Sequence, residues 1–346
     1  VQDLLHQKFI SYGFEDIQTP TFEYFEVFSN EIGTTTSRDL YKFFDKEGDT
    51  LVLRPDFTPS IARCAAKYFT DQNVPIRFSY LGSTFTNASA LQGKWKEVTQ
   101  MGVELINQPD LEADAETISL AISALKNTGL SQFQISVGQV EYFKGICEEA
   151  GLDAETESSL RECISVKNMF AAEDLLLAKN VSDSHREVLL KIADMFGGID
   201  FLAEAKKLVH NERSLRAVAH LEKLYKGLKL YGYESYISFD LGMLSKYKYY
   251  TGVIFKGYTY GVGDAIVKGG RYDGLLEHFG KNAPAIGFVI IIDDLMEALN
   301  RQKIKVSLPD KIQVLTYQDD NYETVLKEAF RLRESGIAVA LKKEMV

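Results

Sequence analysis

A chain of 346 residues, 45% hydrophobic and 25% charged, carries enough apolar mass for a sizeable core, and its length suggests two domains rather than one. A formal charge of −10 argues against general nucleic-acid binding, which needs clustered positive charge to displace counterions. The three cysteines, Cys64, Cys147 and Cys163, are too scattered for a zinc motif or a disulfide framework, as suits a reducing cytoplasm, and no apolar run approaches the ~20 residues that span a bilayer.

The opening segment VQDLLHQKF has no signal-peptide pattern and is expected to be helical, with Leu5, Phe9 and Tyr12 at i, i+4 and i+7 and Gly13 as its stop. GFEDIQTPTFEYFEVF is expected to run extended into a second amphipathic segment. LYKFFDKEGDTLVLRPDFT has the pattern of a hairpin, with Leu40–Phe44 and Leu51–Leu53 on either side of the turn DKEGD. PSIARCAAKYF is helical in pattern, whereas IRFSYLGSTFT and EVTQMGVELI alternate as antiparallel strands do. DLEADAETISLAISALKNTG is a well-marked helix, acidic in its first turn and ending near Gly129.

From about 154 to 231 the pattern is helical almost throughout, with MFGGID as the one strong interruption, and it predicts a helical insertion within a sheet domain. Strands resume in YISFDLGML, YKYYTGVIFKGYTY and DAIVKGGRYDGLL. Residues 301–310 read as a linker, and IQVLTY, NYETVLKEAFRLRESG and IAVAL as the strand, helix and strand of a partial α/β module over 311–346. Strands, then a block of helices, then strands predict an α+β fold with an antiparallel sheet over 1–300.

Motifs narrow the chemistry. No Walker A loop, zinc-protease helix or serine nucleophile elbow is present. Gly261, Val262 and Gly263 lack the third glycine of a dinucleotide fingerprint and fall between strands, where a hairpin turn belongs. His6, His185, His210, His220 and His278 are dispersed, so no metal site is expected. The stretch GGRYDGLLEHFGKNAPAIGFVIIIDDL, Gly269–Leu295, joins a glycine-rich turn, Arg271 and an apolar run as a nucleotide site would, yet ends on Asp293 and Asp294.

Three stretches in order, LVLRPDFTPSIAR (Leu51–Arg63), YLGSTFTNASALQGKWKEVTQMGVELI (Tyr80–Ile106) and GGRYDGLLEHFG…PAIGF (Gly269–Phe288), resemble the catalytic core of class II aminoacyl-tRNA synthetases. YYTGVIFKGY (Tyr249–Tyr258) resembles the histidine-recognition segment of histidyl-tRNA synthetase, and the resemblance runs from the first helix to about residue 300. It implies that Asp56 and Thr58 meet an amino-acid ammonium, that Gln100 and Glu104 face the histidine, and that Tyr250, with Tyr249 beside it, bonds the imidazole. The residue types suit these roles: an anion answers the ammonium, and a carboxylate with a phenol can hold both imidazole nitrogens. Four apart on one strand, Gln100 and Glu104 share a face.

Against the synthetase pattern, the nucleotide end departs. Thr86 stands where an arginine binds the α-phosphate, Asp293–Asp294 where an acid–arginine pair meets the triphosphate, and Ser245 where a catalytic arginine precedes the tyrosine pair. Lys246 and Lys248 lie nearby but out of register. Losing one such donor typically costs about 2.7–4 kcal/mol of transition-state stabilisation. Asp294 beside a phosphate would add roughly 1–4 kcal/mol of repulsion. Asp293 and Asp294 are expected to cap the helix DDLMEALNR and to leave no substitute cation. Lys94 and Lys96, with backbone N–H groups, are the candidates for neutralising a ligand carboxylate.

A histidyl-tRNA-synthetase-like chain with an amino-acid pocket and no nucleotide end is similar to the regulatory subunits of ATP phosphoribosyltransferase. That resemblance implies a cytoplasmic, non-catalytic chain without cofactor or metal. Its expected partners are a short catalytic phosphoribosyltransferase chain in a hetero-octamer at the first step of histidine biosynthesis, a second copy of itself in a core dimer, and histidine as feedback ligand. Neither nucleic acid nor membrane is an expected partner, and the fragment after the linker is shorter than an anticodon-binding domain of about a hundred residues. Two other functions remain open at this point: a divergent histidyl-tRNA synthetase that recruits other lysines, and a synthetase-like RNA-binding or sensor protein.

Overall fold

The computed structural model describes residues 1–28, 35–71, 74–88, 95–244, 249–306 and 312–344, and divides into two units, Val1–Ile304 and Lys305–Val346. Strands of the first unit are β1 (Glu15–Asp16), β2 (Phe22–Tyr24), β3 (Lys42–Phe44), β4 (Thr50–Leu53), β5 (Ile76–Phe85), β6 (Glu97–Ile106), β7 (Phe133–Gln139), β8 (Phe196–Gly197), β9 (Ile237–Asp240), β10 (Val253–Thr259), β11 (Val267–Arg271) and β12 (Ala285–Ile291). Its helices are α1 (Gln2–Ser11), α2 (Thr58–Tyr68), α3 (Leu111–Asn127), α4 (Val140–Glu149), α5 (Ala154–Ser165), α6 (Met169–Ala178), α7 (Asp183–Lys191), α8 (Phe201–Lys207), α9 (Glu212–Leu230) and α10 (Ile292–Arg301).

Nine strands form one sheet in the order β1-β5-β6-β12-β11-β10-β7-β9-β8, antiparallel except for the pairs β1·β5 and β7·β9. The α+β architecture expected from the order of elements is the one found. β5 and β6 pair along ten residues, from Ile76 opposite Ile106 to Phe85 opposite Glu97. On the back of the sheet α1 buries Leu5 and Phe9, and the Phe9 ring meets Phe288 of β12 edge-on at 5.8 Å. Alongside, α3 starts where the Asp110 side chain accepts the Ala113 N–H at 2.9 Å, and it ends before Gly129, whose φ of +90° favours a residue without a β-carbon.

Helices α5 to α9 fill the stretch expected to be a helical insertion, and four of the five begin on a side-chain cap: Asp153, Asn168, Ser182 and Asn211 accept the N–H of Thr156, Ala171, His185 and Ser214. The interruption MFGGID does more than break this block. Phe196–Gly197 pairs with β9 and forms the outer edge of the main sheet.

Two features lie outside the sequence expectations. The amphipathic segment expected after the extended entry includes strand β2, which pairs with β4 and is followed by a short 3-10 turn at Phe25–Phe28; Glu23 points inward to Arg63 at 2.8 Å while Phe22 and Tyr24 are exposed. Polar-in, apolar-out alternation inverts the pattern that sequence periodicity relies on. Likewise, β7 runs straight into α4, with Gln139 ending the strand and accepting the Glu141 N–H at 3.3 Å, so no glycine or proline marks that boundary.

In the second unit, β13 (Gln313–Tyr317) and β14 (Val339–Lys343) pair in parallel across helix α11 (Tyr322–Glu334), the crossover that a parallel pair requires. Ala329, Leu332 and Val339 form its small core.

Candidate functional site

On the front of the sheet, opposite α1 and α3, lies a cavity of about 550 Å³. Its floor follows from strand periodicity: Gln100, Gly102 and Glu104 of β6 form one row, facing Gly82, Tyr80 and Phe78 of β5 and Ile291, Val289 and Gly287 of β12. Two of these positions must be small. A β-carbon on Gly102 would run into the Tyr80 hydroxyl, and one on Gly287 would run into the Glu104 carboxylate.

Glu104 is the centre of this floor. It is 1% exposed and accepts hydrogen bonds from the Thr58 hydroxyl at 2.7 Å and from the Tyr272 phenol. Burial pushes its carboxyl up to about 8; the two donors oppose that rise, and neighbouring Asp56 adds to it. The phenols of Tyr80 and Tyr272 are raised as well, by burial first and then by the charge of Glu104. A carboxyl in this state is neutral near pH 7 and ionises once a cation docks against it.

Around Glu104 the structure brings together all six residues singled out by sequence: Asp56, Thr58, Gln100, Glu104, Tyr249 and Tyr250 line the one cavity. Asp56 holds the Thr58 N–H at 3.2 Å, in the turn between β4 and α2. The buried Oε1 of Gln100 has no hydrogen-bond partner among the described residues. The Tyr249 and Tyr250 rings lie 4.8 Å apart, and Tyr249 meets Tyr272 edge-on at 5.9 Å.

Details differ from the sequence expectations. The Thr58 hydroxyl donates its proton to Glu104, which leaves its oxygen as an acceptor on the cavity wall. The phenol that serves Glu104 is Tyr272, which carried no role in the sequence reading although it sits inside GGRYDGLL. Alternation from Gly270 could have indicated its face. The same alternation turns Arg271 away from the cavity, where it is 6% exposed and bonds Asp114 of α3, so it is not part of a nucleotide site.

Asp293 and Asp294 are not the cap of α10 either. β12 runs directly into the helix, Ile291 holds the cap position, and the two acids occupy the first turn, where Asp293 accepts the Thr99 N–H at 2.6 Å. Burial raises the Asp294 carboxyl, with Lys268 acting in the opposite sense. Lys96 is exposed and does not line the cavity; its carbonyl accepts the Thr86 N–H at 2.9 Å. Lys94, Ser245, Lys246 and Lys248 lie outside the described residues. Among the described residues, the cation that lines the cavity was not anticipated: Lys268 of β11, paired with Asp264 at 3.0 Å.

The charge of the lining is lopsided. Besides the neutral Glu104, the acids Asp56, Asp264, Asp293, Asp294 and Glu297 stand against Lys268 among the described residues, with Thr86 at the outer wall. No cluster of three or more His, Cys, Asp or Glu side chains fit to hold a metal occurs among the described residues, and no described helix is long and apolar enough to cross a membrane.

Comparison with known proteins agrees with this geometry. The family model for histidyl-tRNA synthetase matches residues 1–295. An ATP phosphoribosyltransferase regulatory subunit of Acetivibrio thermocellus is 42% identical over 98% of this chain and 81% of that protein. One from Clostridium kluyveri is 37% identical over 99% of this chain and 88% of that protein. Among solved structures, an ATP phosphoribosyltransferase regulatory subunit/histidyl-tRNA synthetase from Bacillus halodurans superposes with a TM-score of 0.86 at 33% identity, over 99% of this chain and 87% of that one. A histidyl-tRNA synthetase from Nostoc, at 21% identity and a TM-score of 0.81 over 100% of this chain and 82% of that one, shares the fold. The chain belongs to the family of ATP phosphoribosyltransferase regulatory subunits, built on the histidyl-tRNA synthetase fold.

Proposed function

We propose that this chain is non-catalytic, binds histidine in the cavity around Glu104, and acts with a separate short phosphoribosyltransferase chain at the first step of histidine biosynthesis. In this reading it forms a core dimer with a second copy, enters a hetero-octamer in the cytoplasm, and carries feedback by histidine. Histidine regulates such an assembly by binding two quaternary states with different affinity, typically worth about 1–3 kcal/mol of coupling.

One observation carries the reading: the distribution of charge along the cavity. At the inner end, Asp56, Gln100, Glu104 and the tyrosine pair suit an ammonium and an imidazole. At the outer end, Asp293 and Asp294 stand beside the Lys268–Asp264 pair and Glu297, which is paired with Arg301, so the acids are in excess. Each carboxylate brought against a phosphate costs roughly 1–4 kcal/mol. An amino acid is therefore favoured and a triphosphate repelled.

Co-expression with a short catalytic phosphoribosyltransferase chain tests this. The two chains should co-purify, activity should require both, and histidine should depress it unless Glu104 is replaced by alanine. Histidine-dependent exchange of pyrophosphate into ATP by this chain alone would overturn the reading in favour of an active synthetase.

A further inference from the structure

Behind the cavity, on the opposite face of the sheet, lies a polar cluster joined to the cavity through the backbone of β11. Arg271 gives its Nε and Nη2 to Oδ1 of Asp114 at 2.8 and 2.5 Å. Asp114, 1% exposed, holds Nε2 of His220 from α9 on its other oxygen at 3.2 Å. Nδ1 of the same imidazole is 3.4 Å from the Gln139 amide nitrogen. Helix α9 of the insertion, helix α3 and strand β11 thus meet at a single carboxylate.

What this cluster controls is the residue after Arg271. The ladder between β11 and β12 ends at Arg271 opposite Ile286, so Tyr272 lies just past it, with its own N–H on the Ala285 carbonyl at 2.8 Å. Both neighbours of Tyr272 are fastened. Arg271 adds a bond from Nη1 to the Gln108 carbonyl at 3.1 Å. Asp273 accepts Nη1 of Arg271 at 3.2 Å and the Ala285 N–H at 3.1 Å, and its own N–H donates to the Thr251 hydroxyl at 3.0 Å. With Arg271 turned to the back of the sheet, alternation sends Tyr272 to the front, where it donates to Glu104.

We propose that Asp114 and Arg271 are positioning residues for the amino-acid pocket, and that His220 ties them to the helical insertion, so that a shift of α9 is felt at Glu104 through Tyr272. The proposal rests on the histidine-pocket reading for its ligand. It names a contiguous set of contacts whose coupling is measurable.

A double-mutant cycle on the full-length chain tests it. His220→Ala removes a partly exposed side chain, and should weaken L-histidine binding by about three- to tenfold. In a Tyr272→Phe background the same change should add nothing. Asp114→Asn should behave alike; because that variant leaves Arg271 buried without its anion and can fail to fold, His220→Ala carries the cycle. Equal losses in both backgrounds, or no loss in either, would overturn the proposal.

A second readout needs no ligand. Loss of the Tyr272 donor raises the pH at which Glu104 ionises, seen in the pH profile of stability. His220→Ala should move that profile in the same direction in the wild-type background and leave it unmoved with Phe at position 272. If the wild-type chain binds no L-histidine while this profile moves as stated, the pocket reading falls and the positioning role stands. If the profile does not move, the positioning role falls.

Discussion

Replacing Glu104 by glutamine should alter the pH dependence of stability more than stability at any one pH. The carboxyl is 1% exposed, and burial lifts it from 4.5 to about 8 in spite of the donors Thr58 and Tyr272. Between those two pH values the folded chain holds a proton that the unfolded chain releases, so stability falls as pH rises. The contribution is full below about pH 4.5, declines through the interval, and is gone once pH passes about 8. A span of about 3.5 pH units, at about 1.4 kcal/mol each, sets the decline at about 5 kcal/mol. Thr58 and Tyr272 donate to different oxygens of Glu104, so glutamine keeps an acceptor for one hydroxyl and sets an amide N–H₂ against the other; it cannot ionise, so the variant escapes the decline. Urea unfolding of both proteins from pH 5 to 9 measures it. The variant should gain steadily on the wild type, by several kcal/mol at the alkaline end. A constant offset from the added amide N–H₂ is harmless, but curves that stay parallel across the whole range would refute the assignment of a buried, protonated carboxyl.

Three other outcomes follow from the same geometry. Gly287→Ala places a methyl group in the space of the Glu104 carboxylate, so it should cost about 1–3 kcal/mol in urea unfolding and abolish histidine binding by calorimetry. Arg54→Met removes the guanidinium stacked 3.9 Å from the Phe57 ring and strips the Ser83 and Thr19 carbonyls of donors at 2.9 Å. Each orphaned buried carbonyl costs about 1–3 kcal/mol, and an unchanged unfolding midpoint would contradict this. Asp294→Arg reverses one charge on the cavity wall and should raise ATP–magnesium affinity at least about fivefold in equilibrium dialysis.

Much of the fold and the pocket was legible because the informative residues repeat with the period of their element. Gln100 and Glu104 share a strand face whatever lies across from them, and the glycines and alternating apolar residues of β5, β6 and β12 keep the register that joins distant motifs. Pairings between faces were not legible. Glu104 meets Tyr272 across 168 positions and Arg271 meets Asp114 across 157, and nothing local in GGRYDGLL says which side chain goes forward and which goes back until the neighbouring strands are placed. A basic residue among glycines imitates a phosphate site, and here it is an internal ion pair. Lys268 was passed over for the converse reason: as one lysine on a strand it carries no pattern, and only the fold sets it at the cavity wall beside Asp264.

On the proposed reading, the pair of acids in the first turn of α10 disfavours a nucleotide while leaving an amino-acid ligand unopposed. A helix N-terminus facing a cavity is a natural seat for phosphate, since its N–H groups and dipole both favour an anion. Helix α10 begins at the cavity wall, with Ile291, Asp293 and Asp294 all lining it. Its own side chains already supply the anions. Asp293 is further fixed by the Thr99 N–H of β6 at 2.6 Å, so it cannot swing aside without releasing the start of the strand that carries Gln100 and Glu104. A phosphate arriving there would meet a dipole already satisfied and two carboxylates in its path. An ammonium or imidazolium group deeper in the cavity gains from the same charges that turn the phosphate away.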